Sequence, residues 1–139
     1  MLTSTDKQLL SLLKQNARLP ITTIAQTLGI SRATAQKRLD RLVDNGVIQS
    51  FTIQIDPKTE FQLIRAVMLI ELQGKMSRTV VRSLSQIPQI VSLDSTNGTW
   101  DLVAQIETQS LAELDSTLRD VRSVKGVTSS ETCILLDRA

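Results

Sequence analysis

The sequence predicts an α+β chain in two parts: an N-terminal winged helix-turn-helix, then a C-terminal ferredoxin-like βαββαβ domain. Three observations carry that expectation. Apolar residues recur at helical spacing as far as Gly46, and from Val47 the chain turns β-branched with partial alternation. The charge follows the same divide: residues 1–60 hold eight basic and five acidic side chains, residues 61–139 eight and nine. The second part then reads strand, helix, strand, strand, helix, strand, the split βαβ pattern.

The elements follow in order. Leu9, Leu10, Leu13 and Ala17 form one helical stripe after Thr5-Asp6, which reads as an N-cap and acidic first turn. Pro20 ends that helix and opens the next, whose stripe is Ile21, Ile24, Ala25 and Leu28, stopped by Gly29 in a left-handed cap. Ser31 caps a third helix with the stripe Ala35, Leu39, Leu42 and Val43, closed by Asn45-Gly46. Val47 to Asp56 reads as a strand or wing, and Asp56-Pro57-Lys58 as the turn between domains 1–58 and 59–139. Ile64 to Gln73 is a strand apolar on both alternating sets, so both faces are expected to be covered. Met76 to Gln86 is a helix through Val80, Val81 and Leu84. Ile90–Thr96 and Trp100–Glu107 are strands about an Asn97-Gly98 type I′ turn. Leu111, Leu114, Leu118, Val121 and Val124 mark a second helix ended by Gly126, and Val127 to Leu136 is the last strand.

Composition excludes several classes. The 139 residues include no histidine and one cysteine, Cys133, which leaves no His-based triad, no intrachain disulfide and no Cys-rich metal cluster. No phosphate-binding glycine loop or dinucleotide fingerprint occurs. An enzyme, a cofactor and a metal are therefore not expected. Three aromatics, Phe51, Phe61 and Trp100, are too few for a single-strand stacking platform. The longest apolar run, Ala66 to Ile70, is five residues, and Met1 to Asp6 lacks the basic flank and apolar core of a signal peptide. The expected place is the cytoplasm, with no membrane partner.

The first part has the anatomy of a DNA reader. A helix-turn-helix needs a small residue where its helices cross (Ala25), tolerance of positive φ at the turn (Gly29) and an apolar plug after it (Ile30). On the third helix, Ala35, Leu39, Leu42 and Val43 cluster on one side, and Thr34, Lys37 and Arg41 fall nearly opposite. Arg32, Ala33, Thr34 and Lys37 are expected at base edges of double-stranded DNA, Arg38 and Arg41 at phosphates, and the first-turn amides by Ser31 at a further phosphate. A solvated basic face on a structural three-helix bundle is the plainer alternative.

Leu28-Gly29-Ile30-Ser31, Arg38-Leu39-Asp40-Arg41-Leu42 and Gly46-Val47-Ile48, followed by Phe51 and Ile55-Asp56-Pro57, resemble the winged helix-turn-helix of the Lrp/AsnC (feast/famine) transcription regulators. Gly98-Thr99-Trp100-Asp101 resembles that family's Gly-x-Tyr-Asp motif, and Val124-Lys125-Gly126-Val127 leads into the last strand in the same way. The resemblance spans almost the whole chain. It departs at Trp100, where Tyr is usual, which bears on ligand choice. It departs again at Thr59-Glu60-Phe61, where a glycine is usual, which bears on linker geometry.

The resemblance implies a C-terminal domain that binds a small amino acid and assembles dimers into rings, commonly octamers. It marks Gly98, Thr99, Trp100, Asp101, Ser130 and Thr132 as effector-binding. Asp101 could pair with the ammonium, while amides at the Gly98 turn or the Ser130 and Thr132 hydroxyls receive the carboxylate. Leu69 or Trp100 could meet an apolar side chain. On spacing alone, Asn97-Gly98 is equally a hairpin turn and Asp101 a carboxylate satisfied by local amides. Independently of the resemblance, a ferredoxin-like sheet has helices on one side only, so Val67 and Leu69 on the other side call for a partner, simply a second copy. The expected function is a transcription regulator whose assembly or DNA binding answers to an amino-acid effector, acting on amino-acid metabolism genes. The alternative is an effector-independent architectural DNA-binding protein.

Overall fold

The computed structural model describes residues 1–56, 59, 63–74, 78–137 and 139. The chain divides into two compact units, Met1–Ile55 and Asp56–Ala139. Of the expected boundary turn, Pro57 and Lys58 lie outside the described residues, as do Glu60, Phe61 and Met76.

The first unit holds helices α1 (Ser4–Gln15), α2 (Ile21–Leu28) and α3 (Arg32–Asp44). The cap of α1 is Thr3, not Thr5. The Thr3 hydroxyl accepts from the Asp6 amide, and the Asp6 carboxylate returns the bond to the Thr3 amide. That reciprocal capping box satisfies two of the donors a helix start leaves open. α1 also stops earlier than expected. Asn16 is its C-cap and its side chain accepts from the Arg18 amide, so Ala17 belongs to a turn. Pro20 then caps α2, whose far end is Gly29 at φ 65, the left-handed turn that favours glycine. Leu9, Leu13, Ile24, Ala25, Ala35 and Leu42 form the core, with Ile30 packed against it.

The expected strand over Val47–Asp56 does not form. Ile48 closes onto the core, its amide donating to the Leu42 carbonyl, and the residues beyond it, 49–56, are exposed and without regular secondary structure. A strand exists only as part of a ladder, and no described strand lies within this unit to pair with it. β-branched composition predicted a strand but cannot supply the neighbour it needs.

The second unit is β1 (Ile64–Leu72), α4 (Arg78–Ser85), β2 (Ile90–Ser95), β3 (Leu102–Thr108), α5 (Leu111–Ser123) and β4 (Val127–Leu135). The sheet is antiparallel throughout, in the order β2-β3-β1-β4. Alternate residues Ala66, Met68, Ile70 and Leu72 of β1 face the helices, joined by Leu102, Ala104 and Ile106 of β3, Val80 and Leu84 of α4, and Leu114 and Val121 of α5. The other sheet face carries half-buried Val67, Leu69 and Val103 with no helix over it. Ser110 caps α5 and accepts from the Glu113 amide, while the Glu113 carboxylate accepts from the Gln109 amide and the Gln89 side chain. Glu113 is thus a tie at the helix start. Gly126, at φ 107, sits where a Cβ would come 2.9 Å from a methyl of Val80.

The hairpin differs from expectation. Neither Asn97 nor Gly98 has the positive φ a type I′ turn demands. A six-residue loop, 96–101, connects β2 to β3, so Trp100 and Asp101 lie outside the strand. Its ends close through the Thr96 amide to the Asp101 carbonyl, 3.0 Å, and the Thr96 hydroxyl donates to the Trp100 carbonyl. Thr96 draws the chain into the wider loop that the Asn-Gly pair alone would not make.

Candidate nucleic-acid interface and effector site

The surface for DNA starts from the N-cap of α3. The Ser31 hydroxyl accepts from the Thr34 amide at 3.1 Å and meets the Thr34 hydroxyl at 2.8 Å. Both hydroxyls are thereby oriented before any nucleic acid arrives. Ala35 and Leu42 turn inward, fully or almost fully buried, which fixes the helix's rotation. Arg32, Ala33, Thr34 and Lys37 are exposed on the outward side. Gln36, not singled out by sequence, is exposed beside them with its amide donating to Asp40 at 2.8 Å. Its signal was available: an i, i+4 polar pair on the outward face.

Arg38 and Arg41 stand differently. Both guanidinium groups turn toward Asp6 of α1, which is 1% exposed. Arg38 donates to Asp6 at 2.9 Å and to the Thr3 hydroxyl at 3.1 Å; Arg41 donates to both Asp6 oxygens, at 3.1 and 3.3 Å. Their side chains remain 27% and 54% exposed, so both still reach the surface. The Asp6 carboxyl is held at about 2, against an ordinary 3.8, first by the Thr3 amide and hydroxyl and then by the two arginines. A folded-state pKa below the unfolded one means that this contribution is complete above about pH 4 and is lost as pH falls through about 2. Acid melts followed by circular dichroism should show that loss in the wild type and a flatter curve in Asp6→Asn. Equal curves would mean Asp6 plays no part in acid unfolding.

The effector candidates fall into two groups. Gly98, Thr99, Trp100 and Asp101 share the β2–β3 loop, with Trp100 and Asp101 half-buried. The loop is stapled to the end of β1: the Asp101 amide donates to the Ile70 carbonyl at 2.9 Å, and the Leu72 amide donates to the Asp101 carboxylate at 2.7 Å. The Gly98 amide already donates to the Thr96 hydroxyl, 3.3 Å. Ser130 and Thr132 lie on β4, opposite Ile70 and Met68 of β1, and so share the helix-covered face. Ile70 has Leu102 on its other side, which places the Leu102 and Ser130 backbones about 10 Å apart, two strand spacings. The Ser130 hydroxyl accepts from Arg122 of α5 at 3.5 Å, and the Thr132 hydroxyl is buried without a hydrogen-bond partner. Arg122 is the cation that sequence reading missed, because only the packing of α5 on β4 brings it there.

A capped DNA-reading helix bundle followed by a βαββαβ sheet defines a class, the DNA-binding regulator with a sensor domain in one chain. Residues 2–49 match the family described as winged helix-turn-helix DNA-binding, and residues 65–139 match the Lrp/AsnC ligand binding domain. The chain belongs to the Lrp/AsnC family of transcription regulators, and it is not an enzyme. It is 31% identical over 131 residues to the HTH-type transcriptional regulator FL11 of Pyrococcus furiosus, covering 94% of this chain and 87% of that one. It is 29% identical over 132 residues to the HTH-type transcriptional regulator LysM of Saccharolobus solfataricus, covering 94% and 91%. A transcriptional regulator of Neisseria meningitidis, crystallised as a complex with L-Met, has the same fold at TM-score 0.78 and 19% identity, over 99% of this chain and 92% of that one. No helix among the described residues is long and apolar enough to cross a membrane.

Proposed function

We propose that this regulator binds duplex DNA as a dimer, assembling further into an octameric ring, and that a small amino acid biases that assembly or its DNA geometry. It acts in the cytoplasm on genes of amino-acid metabolism. The observation that carries the DNA half of this reading is the exposed face of α3, capped by Ser31 and set in rotation by buried Ala35. Arg32, Ala33, Thr34 and Lys37 meet base edges; Arg38 and Arg41 meet phosphates with the donors that Asp6 does not use. Self-association is supported by two uncovered apolar surfaces: Phe51, Ile53 and Ile55 in the segment after α3, and the helix-free sheet face of Val67, Leu69 and Val103.

In the effector half, Asp101 pairs with the ammonium, and either the Gly98 turn or the Ser130 and Thr132 hydroxyls receive the carboxylate. Trp100, in the same loop as Asp101, meets the side chain. The regulator complexed with L-Met supports a free amino acid as the ligand class. An effector-independent architectural role is the second reading. It is favoured by one observation: the Asp101 carboxylate and the Gly98 amide are already engaged within the chain.

Thermal shift against the twenty amino acids separates the two. A true effector at 100 times its dissociation constant stabilises by about 2.7 kcal/mol. A panel with no shift leaves the architectural reading. Arg41→Ala should weaken binding to all duplex sequences alike and make the salt dependence shallower by about one unit. An unchanged dependence would remove Arg41 from the phosphates.

A further inference from the structure

We propose that Asp6 is a built-in counterion of the recognition helix, a positioning residue that cancels one unit of positive charge on the flank presented to DNA. The inference rests on the reading of Arg38 and Arg41 as phosphate contacts. α3 carries four cations, Arg32, Lys37, Arg38 and Arg41, against Asp40 and Asp44, a sum of +2. Asp6 reaches this group from α1, so Asp6, Arg38 and Arg41 together present +1, not +2.

The capping box alone does not call for an acid at this position. The Thr3 hydroxyl caps the Asp6 amide whatever side chain follows, and a neutral amide could return the bond to the Thr3 amide. The charge is what only a carboxylate supplies. Its hold is firm enough to draw Arg38 in until its Nε is buried with no hydrogen-bond partner. A guanidinium placed only for solvent would keep that donor wet.

Counterion release on binding follows the charge brought to the phosphates, at about 0.9 in the logarithmic salt slope for each unit. The test is the salt slope on a random-sequence duplex, measured on the full chain. Asp6→Asn should bind more tightly at low salt, with a slope steeper by about one unit. An unchanged or shallower slope in folded Asp6→Asn overturns the proposal.

Should Asp6→Asn fail to fold, the neutral triple variant Asp6→Asn, Arg38→Gln, Arg41→Gln leaves no buried charge behind. Its slope should be shallower than the wild type's by about one unit; a fall of about two units would mean Asp6 does not count, and overturns the proposal. If the triple variant and Arg41→Ala both leave the slope unchanged, the phosphate reading fails, and this proposal with it. If Arg41→Ala lowers the slope while Asp6→Asn does not raise it, the counterion fails alone.

Discussion

Ala35→Leu is expected to abolish DNA binding by unseating α3, although residue 35 faces away from the duplex. Ala35 is 0% exposed, packed among Leu9, Ile24, Ala25 and Leu42 in the core of the first unit. Three added carbons have no room there, and overpacking of this kind costs about 1–3 kcal/mol. A unit of this size, Met1–Ile55, holds only about 3–8 kcal/mol in total. The loss is therefore a large fraction of its stability, and what remains folded presents Arg32 and Lys37 at altered angles. Thermal melting and gel shift on one duplex read the two effects. Ala33→Leu is the matched comparison: Ala33 is exposed on the same helix, so the melt should hold while the reading of bases changes. Equal melting temperatures for wild type and Ala35→Leu would mean that the inward side of α3 is loosely packed.

The second large effect is expected at Asp101, where two substitutions divide structure from ligand. Asp101→Ala strips the acceptor from the Leu72 amide and loosens the end of β1. A hydrogen bond to a charged group is worth about 1.5–3 kcal/mol, and the half-buried setting places this one near the low end. Asp101→Asn keeps an acceptor for Leu72 but gives up the negative charge that an ammonium requires. In the thermal-shift panel, Asp101→Ala should melt lower and answer to no amino acid, whereas Asp101→Asn should melt near the wild type and still answer to none. Operator affinity without ligand should survive in both. A retained response in Asp101→Asn would place the ammonium elsewhere.

Helix positions were legible in the sequence because their signals are local. Gly29 must turn left-handed, Ser31 can bond its own helix start, and Ala35 to Leu42 repeat at the helical period. The order of the sheet followed from chain order and the split βαβ pattern for the same reason. What was not legible depended on groups distant in sequence. Asp6 reads as an acidic first turn until α1 is laid beside α3, when it gains two arginines more than thirty residues away. The loop at Asn97-Gly98 carried a strong local turn signal, overridden by Thr96 and by the Asp101 staple to β1. Val47–Asp56 had strand composition, but composition cannot supply the neighbour a ladder needs.

The described apolar interiors are two, one of Leu9, Leu13, Ile24, Ala25, Ala35 and Leu42, the other built on Ala66, Met68, Ile70 and Leu102. A scanning calorimeter should accordingly record two heat-absorption peaks from the intact chain, and a bound metabolite should displace one of them. Under the proposed function, that metabolite would act on the reading head by changing which assembled forms are populated.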